Sequence, residues 1–324
     1  MVNLSGKEKK INNIKIISSL GFTLLFFSLF EIISKKIELN SIVLTGIRFF
    51  LGGLFILFLF FKDIISEFTI LKFNQKLQIL LTGFLNVCIA MLSLQFAVKL
   101  GNATTSAIII SSNPVFVFII QTFLEKTFNK KSDNKSKNLL FDFIQLILLL
   151  IGVFGIFIVI YKKDKGDNSI SIFLAIIASI SFALYTILSK KLLKKVSSVT
   201  LNSVSFSFNG LLLIILSFIL YKNDIFIFIS NINLEKIVLL STLSFGVTGL
   251  AYITYFYALK NLDAVKVSLV FYLKPIVVLL LNSIILFENV GLNKIFGIFI
   301  ILASLFVYIN LDKIRKLLKN FSKN

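Results

Sequence analysis

Long apolar runs separated by short polar clusters dominate the pattern along the chain. Each run is about 20 residues long, the length that an α-helix needs to cross a hydrocarbon core ~30 Å thick. A water-soluble fold could not bury so many apolar helices, so the pattern predicts an all-α membrane protein. Ten transmembrane helices are predicted, at 16–34, 41–61, 77–98, 103–124, 139–161, 170–189, 200–221, 237–259, 264–287 and 292–311.

The connections between these runs are short. The third and fourth helices are joined only by KLGN (99–102), and the eighth and ninth only by KNLD (260–263). The most polar stretch, 126–138, is a loop too short to form a soluble domain. No A-x-A-like cleavage site follows the first helix, so we expect that helix to be retained as the first crossing.

Lysine and arginine placement orients the helices. With a cytoplasmic N-terminus, the inner segments carry 22 of these residues and the outer segments carry nine. Cytoplasmic loops are enriched in lysine and arginine. The sequence therefore predicts an integral protein of a bacterial plasma membrane, with both termini in the cytoplasm.

Two stretches of sequence occur twice. LFEIISKK (29–36) returns as LYTILSKK (184–191), with the same two lysines closing an apolar run. Residues 96–114 also align without a gap with 257–275, which superposes the only two prolines of the chain. We infer that the chain consists of two related units.

The predicted units are 1–165 and 166–324, each with five crossings. Because five is an odd number, the second unit enters the membrane in the opposite orientation to the first. Two inverted five-helix repeats are a common architecture of secondary transporters, whose substrate sites lie near the bilayer midplane.

Residues 249–307 resemble the closing segment of EamA-type proteins of the drug/metabolite transporter superfamily, with a small-residue hairpin, a mid-helix proline and a glutamate before the last helix. IRFFLGG (47–53) is similar to the second helix of that family, and FALYTILSKK (182–191) to the sixth. The resemblance implies ten helices in two repeats and the export or uptake of a small metabolite, without naming the substrate.

The two prolines direct attention to a candidate site. Pro114 and Pro275 each lie 11 residues into a predicted helix, near the bilayer centre, where they are expected to break the helix. A proline frees the carbonyl four residues earlier, which in lipid needs another partner. The predicted substrate-binding residues around these breaks are Lys274, Asn113, Tyr272 and Ser112, and Tyr185 within the sixth predicted helix is added to them.

Three charged residues are predicted within the membrane, namely Glu31, Arg48 and Lys274. A charge at a helix centre costs about 2.5–3.5 kcal/mol on insertion scales. Glu31 and Arg48 both fall toward the outer half and can form an ion pair, which leaves Lys274 unpaired. We therefore expect Lys274 to bind an anionic group of the substrate, such as the carboxylate of an amino acid or organic acid. The alternative is that Lys274 binds the freed carbonyls or loses its proton.

Composition excludes several other functions. The net charge of +19 is spread over short loops, and no soluble domain carries a basic face for nucleic acid. The chain has no histidine and one cysteine, so no metal site or other cofactor is expected. Without a Walker A sequence, transport would be secondary. A channel or facilitator and an intramembrane Ser–Lys hydrolase are the alternatives, although we expect no enzymatic activity. The expected partners are a small-molecule substrate and the lipid bilayer, and formation of a homodimer is a further alternative.

Overall fold

The structure is a computed structural model that describes residues 6–101, 103–128, 139–160, 168–286 and 292–321. These residues are almost entirely helical, and no β-strand occurs among them. The predicted all-α class is therefore confirmed.

The first half of the chain forms a long helix, a helix with a short extension, a helix interrupted by a π-helical segment, a split helix and a final long helix. The elements are α1 (Gly6–Lys36), α2 (Ser41–Leu59), α3 (Phe61–Ile70), α4 (Phe73–Phe84), the first π-helical segment (Leu85–Met91), α5 (Leu92–Leu100), α6 (Ala103–Ser111), α7 (Asn113–Phe128) and α8 (Leu139–Ile160).

The second half repeats this order of elements. They are α9 (Ser169–Leu192), α10 (Ser198–Leu220), α11 (Lys222–Ser230), α12 (Leu234–Ser241), the second π-helical segment (Thr242–Leu250), α13 (Ala251–Asn261), α14 (Ala264–Ser268), α15 (Val270–Leu286) and α16 (Leu292–Phe321).

Eight helical segments among the described residues are long and apolar enough to cross a membrane. Two shorter apolar stretches, Phe143–Gly155 in α8 and Phe296–Leu311 in α16, add to them. Large apolar side chains such as Phe58 and Ile219 point outward and are 82% and 73% exposed. Extensive exposed apolar surface marks contact with a membrane or a partner, and on spans of this length it indicates lipid.

Side-chain caps start several of these helices. The Asn40 side chain accepts a hydrogen bond from the backbone of Ile42 at 2.9 Å, and the Asn168 side chain accepts one from Ile170 at 3.0 Å. Both asparagines satisfy a backbone N–H that has no partner within its own helix. The caps set the starts of α2 and α9.

Glycines let α2 of the first half pack closely against α10 of the second. A Cβ atom at Gly46 would lie 3.0 Å from the backbone nitrogen of Ile214, and one at Gly210 would overlap the backbone of Phe50. Residue numbers rise along α2 as they fall along α10. These two helices, which hold the same place in their halves, therefore pack antiparallel.

The last helices of the two halves pack in the same way. A Cβ atom at Gly155 of α8 would lie 3.0 Å from the carbonyl oxygen of Gly297 in α16, and one at Gly152 would lie 3.0 Å from the hydroxyl of Ser304. α8 and α16 are therefore antiparallel as well. Contacts are also exchanged between the halves, since α1 packs on α13 while α9 packs on α5.

The lysines of the repeated sequence close two helix ends. Lys35 at the end of α1 donates from Nζ to the carbonyls of Val98, Lys99 and Gly101, at 3.1, 3.3 and 2.8 Å. These carbonyls belong to the end of α5 and the turn after it, where an α-helix leaves its last acceptors without partners.

Lys190 at the end of α9 makes the equivalent contacts in the second half. Its Nζ donates to the carbonyls of Leu259, Lys260 and Leu262, at 2.5, 3.1 and 2.8 Å, at the end of α13. The recurrence of SKK in the sequence thus corresponds to one helix-capping interaction that is made twice.

Candidate functional site

A buried ion pair joins the two halves. Lys274 of α15 donates from Nζ to Oε1 of Glu31 in α1, and these residues are 2% and 0% exposed. Two predictions are therefore wrong: Lys274 is not unpaired, and Glu31 does not pair with Arg48. The physical reason is that α1 packs on α15. The sequence predicted that each charge is buried but not which helices meet there.

Arg48 of α2 is a buried cation that forms no salt bridge with the described residues, although the Glu31 carboxylate still attracts it at longer range. It is 2% exposed, and its Nε and Nη1 have no hydrogen-bond partner among those residues. The guanidinium carbon lies 4.4 Å from the ring centroid of Phe30 and 4.7 Å from that of Phe49. Aromatic faces attract a cation, by about 2 kcal/mol or more when the group is desolvated, but they do not neutralise its charge.

A small cavity lies between the halves, with Arg48 and Lys274 in its wall. Its free volume is about 30 Å³, which is room for one or two water molecules. The first half contributes six lining residues and the second half five. They are Phe27, Phe30, Arg48, Met91, Leu94, Ile110, Phe182, Val247, Tyr252, Phe271 and Lys274.

Aromatic rings form much of the wall of this cavity. The Phe27 ring lies 5.9 Å from that of Phe271 and 5.2 Å from that of Tyr252, and the Phe182 ring lies 5.5 Å from that of Phe271. These residues were not predicted as part of the site. Phe27 and Phe182 are nevertheless related by the same offset as the repeated LFEIISKK and LYTILSKK, and that signal could have marked them.

A chain of polar side chains lies behind the aromatic wall. The Tyr252 hydroxyl lies 3.4 Å from Oδ1 of Asn86, and Asn202 donates to the carbonyl of Tyr252 at 3.5 Å. Tyr185, a predicted substrate-binding residue, donates to Asn202 at 3.4 Å. It is fully buried and does not line the cavity.

Asn113 and Ser112, also predicted to bind substrate, lie outside the cavity lining. Asn113 is buried and donates from Nδ2 to the carbonyl of Ser179 at 3.0 Å, while its Oδ1 has no partner among the described residues. The Ser112 hydroxyl donates to the carbonyl of Ile109 at 2.6 Å, within its own turn. In this conformation Asn113 contacts α9, and Ser112 satisfies local backbone.

Tyr272 points away from the cavity. Its hydroxyl donates to the carbonyl of Leu149 in α8 at 2.6 Å, and its ring packs against Gly152. The cavity lining does not include it. Of the five predicted substrate-binding residues, Lys274 is therefore the one that lines the cavity.

The two prolines act differently on their helices. α6 ends at Ser111, α7 begins at Asn113, and Pro114 is the second residue of α7. By contrast, α15 continues through Pro275, and the interruption lies earlier, at Leu269. The prediction that Pro275 breaks its helix is wrong, because neighbouring helices and local adjustments can satisfy a freed carbonyl within a membrane.

A sequence model of the EamA-like transporter family matches residues 15–161 and, a second time, residues 169–310. The chain belongs to the EamA-like transporter family. The resemblance found in the sequence is thereby confirmed.

Relatives of this EamA-like transporter extend over nearly its whole length. An "Uncharacterized transporter" of Clostridium kluyveri is 31% identical, over 92% of this chain and 94% of the relative. An "Uncharacterized transporter in trpA 3'region" of Buchnera aphidicola is 25% identical, over 86% and 88%. A solved crystal structure is similar with a TM-score of 0.69 and 14% identity, over 93% of this chain and 98% of the other. That likeness supports the fold.

The charges in this EamA-like transporter favour recognition of an ion over chemistry on a substrate. The Lys274 ammonium donates to Glu31, so it is not held as a base beside a serine hydroxyl. Arg48 lines a cavity that is otherwise largely apolar, and its Nε and Nη1 donors are buried in the wall without a partner among the described residues. An arginine remains charged at any physiological pH and binds carboxylate and phosphate oxygens.

Proposed function

We propose that the chain is a secondary transporter that moves a small organic metabolite across a bacterial plasma membrane by alternating access. The observation that carries this proposal is the buried Glu31–Lys274 ion pair beside a cavity between the halves. Ionisable residues within a membrane are costly and commonly mark substrate or ion pathways. This ion pair joins the two halves of the chain, whose relative movement would open the cavity.

The proposal includes ten crossings in two inverted five-helix repeats, with both termini in the cytoplasm. The antiparallel packing of α2 on α10 and of α8 on α16 supports it. Inverted halves give a transporter two related conformations, one closed toward each side of the membrane. Exchange between them would expose one central site to each side in turn.

Counterflow in proteoliposomes tests the proposal. Purified protein is reconstituted into liposomes loaded with a mixture of amino acids and organic acids, and each labelled solute is added outside in turn. We expect one solute class to accumulate transiently above equilibrium, with saturation, because exchange of internal for external substrate is faster than net flow. Protein-free liposomes are the control. Flux that neither saturates nor shows this transient accumulation would instead indicate a channel.

A further inference from the structure

We propose that Arg48 binds the carboxylate of the transported substrate, and that this substrate is a monocarboxylate with an apolar body. The inference rests on the proposed transport function and makes its substrate class specific. It assigns anion binding to Arg48, whereas the sequence alone had suggested Lys274.

Arg48 has hydrogen-bond donors without acceptors among the described residues. Burial of a charged group is strongly unfavourable unless the group is paired and hydrogen-bonded. Phe30 and Phe49 contact the guanidinium through their rings. The Nε and Nη1 groups keep their donors unused among the described residues. Arg48 lines the cavity, so a ligand oxygen would satisfy these shielded donors once the walls move apart, and the planar guanidinium matches the geometry of a carboxylate.

The described residues at the cavity carry a net positive charge. Lys274 and Arg48 are the charged residues of its lining, and Glu31 neutralises Lys274. One positive charge then remains among the described residues at this site. A ligand with one net negative charge would balance it, whereas a zwitterion or a neutral molecule would leave the site charged and desolvated.

The remaining side chains of the cavity wall are mostly apolar. Apart from the two cations and Tyr252, the lining side chains are aliphatic, aromatic or thioether groups, including Phe27, Phe182 and Phe271. They would contact an apolar ligand body through dispersion and exclude water from it. The cavity now has room for only one or two waters, so binding such a ligand requires the walls to move apart.

Binding can be measured by the fluorescence of the ligand, because the chain contains no tryptophan. The probes are indole-3-propanoate (a monoanion), tryptophan (a zwitterion with the same ring) and indole-3-propanamide (neutral). Each is titrated onto the detergent-purified full chain. We expect the propanoate to bind at least about tenfold more tightly than the other two, since a hydrogen bond to a charged group contributes about 1.5–3 kcal/mol. Equal binding of the amide, tighter binding of tryptophan, or no binding of the propanoate would overturn the proposal.

Variants assign this affinity to a residue. Arg48→Gln should weaken propanoate binding about 10-fold to 100-fold, and Arg48→Lys should retain part of it because the charge remains without the planar fork. Lys62→Gln removes an exposed cation and should leave binding unchanged. If Arg48→Gln bound the propanoate as tightly as the unmodified chain, Arg48 would not be the site.

Stability of the ligand-free protein separates this role from a structural one. Arg48→Met removes an unpaired buried charge and should raise the unfolding temperature, whereas loss of a structural ion pair would lower it. A lower unfolding temperature would overturn the proposal. This measurement also covers the case in which Arg48→Gln fails to fold.

Counterflow distinguishes the two proposals. Propanoate binding that depends on Arg48, without counterflow of any solute, would contradict transport and leave the anion site standing. Counterflow of a solute that is as fast in Arg48→Gln as in the unmodified chain would overturn the anion site and leave transport standing.

Discussion

Glu31 and Lys274 depend on each other because neither side chain reaches water. Together they form an ion pair between residues 243 positions apart in the sequence. Glu31 Oε2 has no hydrogen-bond partner among the described residues, so the pair is only partly satisfied. A buried pair of this kind contributes little net stability, but loss of one partner leaves an uncompensated charge.

A double-mutant cycle tests this dependence. Glu31→Gln alone and Lys274→Met alone should each lower the free energy of unfolding by about 3–5 kcal/mol. The combined variant should recover much of that loss, because no unpaired charge remains. The measurement is detergent-induced unfolding of the purified protein.

The matched control is the exposed pair Lys266–Asp263, whose Nζ and Oδ2 atoms lie 3.8 Å apart. Lys266→Met should change stability by less than about 1 kcal/mol, since solvent screens exposed pairs. Additive losses in the Glu31–Lys274 cycle would show that these two residues act independently.

The burial of the charged residues was predictable from the sequence, but their partners were not. Glu31, Arg48 and Lys274 all lie within apolar runs, so burial followed from composition. The pairing depended on the packing of α1 against α15. The sequence of an apolar helix face does not specify which helix will pack against it. Tyr272 illustrates the same limit, since it lies two residues from Lys274 but faces α8.

At the scale of elements, the repeated sequence corresponds to a repeated interaction. Lys35 and Lys190 each donate to three carbonyls at the end of a helix in the same half. The positive charge also complements the negative end of the helix dipole. The sequence predicted that α1 and α9 are equivalent, but not what their final lysines contact. For Pro275, the sequence predicted a break in the helix, but α15 continues through this residue because packing within the protein overrides the local effect of proline.

Removal of either cap should loosen one helix end. Lys35→Met and Lys190→Met are each expected to lower the free energy of unfolding by about 1 kcal/mol, through loss of hydrogen bonds to the final carbonyls. Hydrogen exchange should increase at the ends of α5 and α13, respectively. The adjacent exposed lysines provide controls, since Lys36→Met and Lys191→Met should have little effect. Equal effects of capping and adjacent lysines would contradict the capping role.

At the scale of the whole molecule, two pairs of matching helices, α2 with α10 and α8 with α16, pack antiparallel. An odd number of crossings per half would also invert the second half, and the inverted repeat stays a proposal that this packing supports. The all-α class was accessible from the long apolar runs, whereas the short helices α3 and α11 and the π-helical segments were not predicted. The cavity was not predicted either, because its wall combines residues from both halves.

Labelling of engineered cysteines tests this orientation in cells. Lys62 follows α2 and Lys222 follows α10, so they hold equivalent places in the two halves, and both are exposed. In a chain with Cys88→Ser, a membrane-impermeant maleimide added to intact cells should modify Lys222→Cys but not Lys62→Cys. Both positions should react after the cells are opened. Modification of both in intact cells would contradict an inverted repeat.

The two π-helical segments have a consequence for how the protein could accommodate a ligand larger than water. Met91 of the first segment and Val247 of the second are both in the cavity wall. Long helices commonly kink at widened turns of this kind. Each wall therefore contains a point at which the helix can bend while the backbone on either side stays coiled. The helices on both sides of the cavity can therefore bend outward to accommodate a larger ligand.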